Sequence, residues 1–205
     1  MLGKTGVEKS TLLRNFLIQD IENGDGCALS DPHGDLARDL LDHIPQGRTD
    51  DVVYFSPADW ARPIGLNILE NVARDRRPLV AGSVVETFRS LYRDSWGPRM
   101  EYIFYNTIAA LLDCPGATLL GVNRILADER YREWVVRRIE DPHVRNFWVE
   151  EFGNYDRRFR VEAIAPIQNK VGQFLKNPII RDIVGQPRST VDLAFMMNQR
   201  SEGGS

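Results

Sequence analysis

Hydrophobic positions in the first third of the chain alternate between helical and extended spacing. Residues 11–21 carry apolar side chains at helical spacing, and glycines at 24 and 26 end that pattern. Residues 27–30 and 51–57 are short stretches rich in strand-forming side chains, and a second helical pattern lies between them. The order helix, strand, helix, strand is typical of an α/β fold, so we expect a parallel sheet here.

The pattern changes from Leu66 onward. Between Arg77 and Gly185 the apolar residues follow helical spacing, and no stretch favours a strand. This predicts an all-helical domain, with a kink or a division at Pro166. An apolar stripe predicts its clearest helix over residues 100–113, and Asp141 followed by Pro142 predicts the start of another. We expect Trp134, Phe147, Trp148 and Phe152 to lie in the core. We therefore expect the N-terminal part of an α/β core in residues 1–70 and a helical domain in 71–188. Residues 189–205 would return toward the core and end in a flexible tail.

Residues 3–10 fit the phosphate-binding loop pattern G-x-x-x-x-G-K-[ST] at every position except Glu8. In such a loop backbone N–H groups surround the phosphates, the lysine reaches the outer phosphates, and the hydroxyl holds Mg²⁺. The motif predicts ATP and Mg²⁺ as cofactors, with Lys9 as the catalytic cation and Ser10 as the metal ligand. The expected nucleotide-binding residues are Gly3, Lys4, Thr5, Gly6, Val7, Glu8, Lys9, Ser10 and Thr11.

Glu8 replaces the glycine that lets the backbone pass close to phosphate. Its carboxylate would repel each phosphate charge by about 3 kcal/mol at about 5 Å, for an effective dielectric of about 20. We expect nucleotide binding to be weakened.

Asp31 follows the first expected strand, in the turn DPHGD. Ligands of parallel α/β folds bind at the carboxyl ends of strands, so Asp31 is a further candidate for nucleotide binding. The alternative is that Asp31 stabilises the turn itself.

Composition describes a soluble globular chain of 205 residues, with 42% hydrophobic and 27% charged side chains. Cys27 and Cys114 show no metal spacing, so we expect reduced thiols and a cytoplasmic protein. The net charge of −3 hides an asymmetry. Residues 1–70 hold 6 Lys and Arg against 12 Asp and Glu, whereas 71–188 hold 19 against 15. Contact with a polyanion is therefore expected in the helical part, although such cations are also typical of solvated helix faces. The candidates are Arg137, Arg138, Arg157, Arg158, Arg160, Lys170 and Lys176.

Four motifs together resemble the conjugative (type IV secretion) coupling-protein branch of the FtsK/HerA superfamily of P-loop ATPases. They read GKTGVEKSTLLRN, ALSDPHGDLARDLLDHIP, DDVVYFSPAD and PIGLNILE. The resemblance implies part of a RecA-like core with an inserted all-helical domain, DNA as the partner, and a hexameric ring that translocates DNA. It also implies an anchor at the inner membrane in full-length relatives.

The chain departs from that family in two ways. It has no apolar run ending in Asp-Glu, which in these ATPases holds Mg²⁺ and activates water, and only Met1 and Leu2 precede the loop. We expect an incomplete motor that does not hydrolyse ATP by itself. The first hypothesis is the ATP-binding portion of a DNA-translocating ATPase, and the alternative is a non-catalytic helical module, binding DNA or protein, with a vestigial nucleotide site.

Overall fold

The computed structural model describes residues 7–56 and 64–191, and the side chains from Lys9 onward in the first range. The chain divides into two compact units. Among the described residues, one unit comprises 7–55 with Val191, and the other comprises Ser56 with 64–190.

The first unit contains two α-helices, α1 (Val7–Glu22) and α2 (Asp35–Leu41), and a 3₁₀ helix at Gln46–Asp51. Helices α1 and α2 pack against each other through a small buried core of Leu17, Ile21 and Leu40. Arg48 donates a hydrogen bond from Nη1 to the carbonyl of Ile21, 2.6 Å away, and so ties the 3₁₀ helix to the end of α1.

The predicted α/β fold is wrong, because the described residues contain no β-strand. Residues 27–30 and 52–56, which lie in the stretches where strands were expected, form neither a strand nor a helix. Extended backbone forms a strand only when its N–H and C=O groups pair with another strand, and β propensity measures fit to a half-buried sheet surface. Here the side chains of Val53, Tyr54 and Phe55 remain 41 to 45% exposed.

All regular elements among the described residues of the second unit are helices, as its sequence pattern predicts. Its α-helices are α3 (Arg77–Leu91), α4 (Pro98–Leu112), α5 (Gly121–Ala127), α6 (Glu129–Val136), α7 (Pro142–Asn146), α8 (Arg157–Leu175) and α9 (Pro178–Val184). Two 3₁₀ turns lie at Arg74–Arg76 and Arg93–Ser95, and a π-helical turn lies at Phe147–Glu151. Helix α8 is assigned as one helix through Pro166, so the expected division there does not occur.

Helix α4 is the centre of the helical unit, since it packs against α3, α5, α6, α7 and α8. Ile103, Ile108 and Leu111 on α4 are fully buried. The aromatic side chains of Phe147, Trp148 and Phe152 are also buried, at 3% exposure or less, as expected from their spacing. These residues all belong to the larger of the two hydrophobic cores found in the described structure.

Several helices of this unit begin at side chains that accept backbone N–H bonds. Asp141 accepts bonds from the backbone of His143 and Val144, with Pro142 in the first turn, which confirms the helix start read from the sequence. Asp128, Asp156 and Asn177 cap α6, α8 and α9 in the same way.

The two ends of the helical unit are held together by a polar junction around Asn67, which is 5% exposed. The Asn67 side-chain amide donates to the carbonyls of Ala117 and Pro187, at 2.9 and 3.0 Å. Its Oδ1 accepts from the backbone N–H of Leu69, and its own N–H donates to Ser189 Oγ. The donor and acceptor groups of this buried side chain all have hydrogen-bond partners, so the segments that provide those partners are held in place. The junction therefore sets where the chain enters and leaves the unit.

Candidate functional site

The candidate phosphate-binding loop lies only partly within the described residues. Gly3, Lys4, Thr5 and Gly6 lie outside them. Val7 and Glu8 belong to the first turn of α1, and Lys9, Ser10 and Thr11 follow directly in that helix. The residues with phosphate-binding and metal-binding chemistry therefore occupy the start of a helix, the position that the motif requires.

The start of α1 has the chemistry to hold a phosphate and Mg²⁺. The first backbone N–H groups of a helix have no acceptor within it and carry a partial positive charge. The Ser10 hydroxyl is exposed, and Lys9 is half-buried. This fit is limited to the helix, since the glycine-rich part of the motif lies outside the described residues.

Asp31 is engaged by backbone groups of its own turn and of α2. Its Oδ2 accepts N–H bonds from Leu36 and Ala37, at 2.9 and 3.1 Å, and its Oδ1 accepts one from His33 at 3.1 Å. These bonds, first that from Ala37, lower the pKa of the Asp31 carboxyl below its usual range. Asp31 therefore stabilises the turn before α2, which is the alternative that its sequence position allowed.

Sequence reasoning missed a polar contact between α1 and α2. Arg14 pairs with Asp39 and lies 2.8 Å from His43 Nε2. The hydrogen bond from Arg14 lowers the pKa of the Asp39 carboxyl and raises that of the guanidinium. Arg14 and Asp39 lie on one helix each, 25 positions apart, so spacing within either helix gives no sign of the pair.

Two arginines of the helical unit have structural roles at helix ends. Arg160 donates from Nη2 to the carbonyls of Phe152, Gly153 and Tyr155, which follow the π-helical turn. Arg132 donates from Nη1 to the carbonyls of Ile125 and Leu126 at the end of α5. These cations satisfy carbonyls that lack helical partners, so Arg160, a candidate for polyanion contact in the sequence, is committed to the fold.

Lys170, another candidate for polyanion contact, is buried. Its residue is 9% exposed, and its Nζ lies 5.9 Å from the centre of the Tyr92 ring. Arg137, Arg157 and Lys176 are exposed, with no carboxylate within 4.0 Å in the described structure. Arg158 is exposed but pairs with Glu162, at 3.1 Å.

Four side chains on α5, α6 and the turn after α6 form a layered arrangement, which we call the Trp134 stack. The Tyr131 and Trp134 rings lie 5.6 Å apart and nearly parallel, at 17°. The Arg124 guanidinium carbon lies 4.2 Å from the Tyr131 ring centre, and that of Arg138 lies 3.9 Å from the Trp134 ring centre. Each ring therefore has the other ring and one guanidinium as neighbours.

Trp134 was expected in the core, and the structure places it at the edge of that core. Trp134 is half-buried and packs against the main core, but one face of its ring is covered by Arg138. Arg138 also donates from Nη1 to the backbone carbonyl of Trp134, at 2.8 Å. The spacing of four between Trp134 and Arg138 was the available signal.

An open groove of about 660 Å³ runs between α3 and α4. Arg89 in this groove pairs with Glu86 and Glu101, at 3.6 and 4.0 Å. Trp96 Nε1 also donates to Glu101, at 2.7 Å. Glu86 and Glu101 balance the charges of Arg89 and Arg93 in the lining, so the groove itself has no excess of positive charge.

The described residues hold no group of three or more His, Cys, Asp or Glu side chains that could bind a metal ion. Cys27 and Cys114 are free thiols, and burial raises the pKa of Cys114 to about 11. None of the helices in the described ranges is long and apolar enough to cross a membrane.

Comparison with known protein families, with curated proteins and with solved structures gives no match to this chain. The resemblance to coupling proteins therefore stays a prediction from its motifs.

Proposed function

We propose that this chain is a helical DNA-binding module joined to a nucleotide-binding loop that Glu8 has weakened. The observation that carries the proposal is the excess of exposed, unpaired cations in the helical unit. Residues 71–188 hold 19 Lys and Arg, and eleven of these are exposed with no carboxylate within 4.0 Å among the described residues. They are Arg76, Arg93, Arg99, Arg130, Arg137, Arg138, Arg145, Arg157, Lys176, Arg181 and Arg188.

Many carboxylates of the same unit have protein partners instead. Asp113 and Glu140 pair with Arg77, at 2.7 and 3.1 Å. Asp141 and Asp156 accept backbone N–H bonds at the starts of α7 and α8. Nine carboxylates of residues 71–188 are exposed with no cation within 4.0 Å among the described residues, so the exposed, unpaired cations outnumber them by eleven to nine.

Exposed arginines bind DNA by replacing the counterions condensed on its phosphates, and that exchange makes affinity depend steeply on salt. The test is fluorescence anisotropy of a labelled DNA duplex with the full chain. For about four phosphate contacts, we expect affinity to fall on the order of 100-fold between about 50 and 200 mM salt. Absence of binding at low salt, or binding that is insensitive to salt, would contradict the proposal.

The second candidate function is the ATP-binding portion of a DNA-translocating motor, which would form a hexamer when complete. The position of Lys9 and Ser10 at the start of α1 favours it. Lys9 would neutralise the outer phosphates, and Ser10 would hold Mg²⁺, which stabilises charge on the transferred phosphoryl group when bound. Other residues needed for hydrolysis are not assigned in this chain.

Calorimetry with Mg-ATP tests that candidate on the chain as it stands and on two variants. We expect weak binding by the unaltered chain, tighter binding by Glu8→Gly, and none by Lys9→Ala. If none of the three binds, the loop does not hold nucleotide.

A further inference from the structure

The Trp134 stack combines two guanidinium groups with two neighbouring rings, since the Arg124 and Arg138 guanidinium carbons lie 4.2 and 3.9 Å from the centres of the Tyr131 and Trp134 rings. Arg138 is exposed and makes no ion pair in the described structure. Its one hydrogen bond there uses Nη1, so other N–H groups along the guanidinium edge are available to a ligand. A stacked guanidinium loses less conformational freedom on binding than a free one.

Two further cations surround the stack. Arg130 lies four positions before Trp134, and Arg137 lies three positions after it, so both are neighbours of Trp134 on one face of the helix. Both are exposed and unpaired within the described residues.

The acidic groups nearest the stack in sequence are Asp128, Glu129, Glu133 and Glu140. Glu140 lies two positions after Arg138 and pairs with Arg74 and Arg77, at 3.3 and 3.1 Å. Asp128 pairs with Arg124 at 3.5 Å and caps α6 by accepting the Tyr131 N–H, so it neutralises the Arg124 end. Glu129 and Glu133 are exposed and have no cation within 4.0 Å among the described residues. The Arg138 end, with Arg130 and Arg137 beside it, is therefore the more positive end of the stack.

We infer that the Arg138 end of the Trp134 stack binds the phosphodiester backbone of a nucleic acid. Guanidinium N–H groups match the geometry of phosphate oxygens, and their orientation is fixed here before the ligand arrives. Tyr131 and Trp134 are half-buried and each already has a guanidinium over its ring, so the exposed groups at this site are the arginines. Binding at this site is expected to be independent of base sequence.

This inference rests on the proposed DNA-binding function, and its test separates the two. Affinity is measured by anisotropy for a labelled oligodeoxynucleotide and for an oligoribonucleotide of the same sequence, on the full chain at two salt concentrations. Arg138→Gln removes the guanidinium. Arg158→Gln is the matched control, because it removes one positive charge from an exposed arginine that already pairs with Glu162.

We expect Arg138→Gln to weaken binding about tenfold and to reduce the salt slope by about one, while Arg158→Gln changes affinity less than about twofold. A shift of this kind for both oligonucleotides assigns the site to the shared backbone. A shift for only one of them restricts the site to that nucleic acid and overturns the claim of general backbone binding.

Glu133→Gln supplies a variant with the opposite expected sign. Removing this carboxylate near Arg137 should tighten binding about two- to threefold. Thermal melting of each variant establishes that the fold is retained.

Three results would count against the inference. Equal effects of Arg138→Gln and Arg158→Gln would overturn the stack as the site and leave DNA binding by the unit standing. No binding of either nucleic acid by the unaltered chain would overturn both. Equal affinity for polyglutamate would show that the stack recognises negative charge without regard to phosphate.

Discussion

Gly65 and Thr190 are separated by 125 positions and joined by hydrogen bonds in both directions. The Thr190 N–H donates to the Gly65 carbonyl at 2.9 Å, and the Gly65 N–H donates to Thr190 Oγ1 at 3.0 Å. Together with Asn67, this pair holds the entry and exit of the helical unit side by side. All three residues belong to the helical unit, so the unit's own residues hold its first and last segments together.

Gly65 tests the importance of this closure. A Cβ at position 65 would lie 2.9 Å from the backbone carbonyl oxygen of Arg188 and 2.7 Å from Gln186 Oε1. We expect Gly65→Ala to destabilise the helical unit by about 1–3 kcal/mol, because the backbone has to move. Urea unfolding followed by circular dichroism measures the change.

Gly172 provides the matched control, since it lies inside α8 and a Cβ there would have no atom within 4 Å. Gly172→Ala should stabilise the unit by about 0.5–1 kcal/mol. A Gly65→Ala variant as stable as the unaltered chain would show that Gly65 can move away from the Arg188 backbone at no cost in stability.

Arg77 and Arg74 provide a second matched pair, since both contact Glu140, at 3.1 and 3.3 Å. Arg77 also pairs at 2.7 Å with Asp113, whose side chain is only 6% exposed, whereas the Arg74 side chain is 76% exposed. Arg77→Gln should cost about 1–3 kcal/mol, because it leaves a nearly buried carboxylate without its cation.

Arg74→Gln should change stability by less than about 0.5 kcal/mol, as is usual for exposed pairs. Thermal or urea unfolding of the two variants makes the comparison. Equal losses would mean that both arginines act only through Glu140.

Asp31 gives a pH-dependent prediction for the first unit. Its folded pKa lies below the ordinary value of about 3.9, so the unfolded chain takes up the proton more readily. The stabilisation is complete above that ordinary value and is lost as pH falls through the lower folded pKa. The amides of Leu36 and Ala37 should therefore lose protection from hydrogen exchange at acidic pH, measured against the intrinsic exchange rate at each pH.

Asp31→Asn should remove this acid-dependent loss and lower protection of the two amides at neutral pH. Asp35→Asn is the control, because Asp35 begins the same helix and makes no side-chain hydrogen bond in the described structure. If Asp31→Asn leaves protection unchanged, the carboxylate does not stabilise the start of α2.

The helical unit could be predicted from the sequence because its signals are local. Helical spacing identified the buried residues of α4, and Asp141 with Pro142 marked the start of α7. Pro166 does not divide α8, because Ile164, Ile167 and Val171 on both sides of it are buried in the core.

The first unit was predicted poorly because a sheet depends on partners distant in sequence. Residues 27–30 have suitable side chains for a strand, but no second strand lies beside them in the described ranges. The Trp134 stack was also hidden, because Arg124 reaches Tyr131 from another helix. Only the pair Trp134 and Arg138 could be read from helical spacing.

The most direct test of the account is DNA affinity of the full chain with and without saturating Mg-ATP, repeated on Glu8→Gly. If the helical unit binds DNA by itself, the affinity of the unaltered chain is the same within about twofold in both conditions. It also remains dependent on salt. A change of more than about fivefold on adding Mg-ATP would show that nucleotide and DNA sites are coupled. That result would contradict the account and favour the ATP-driven motor.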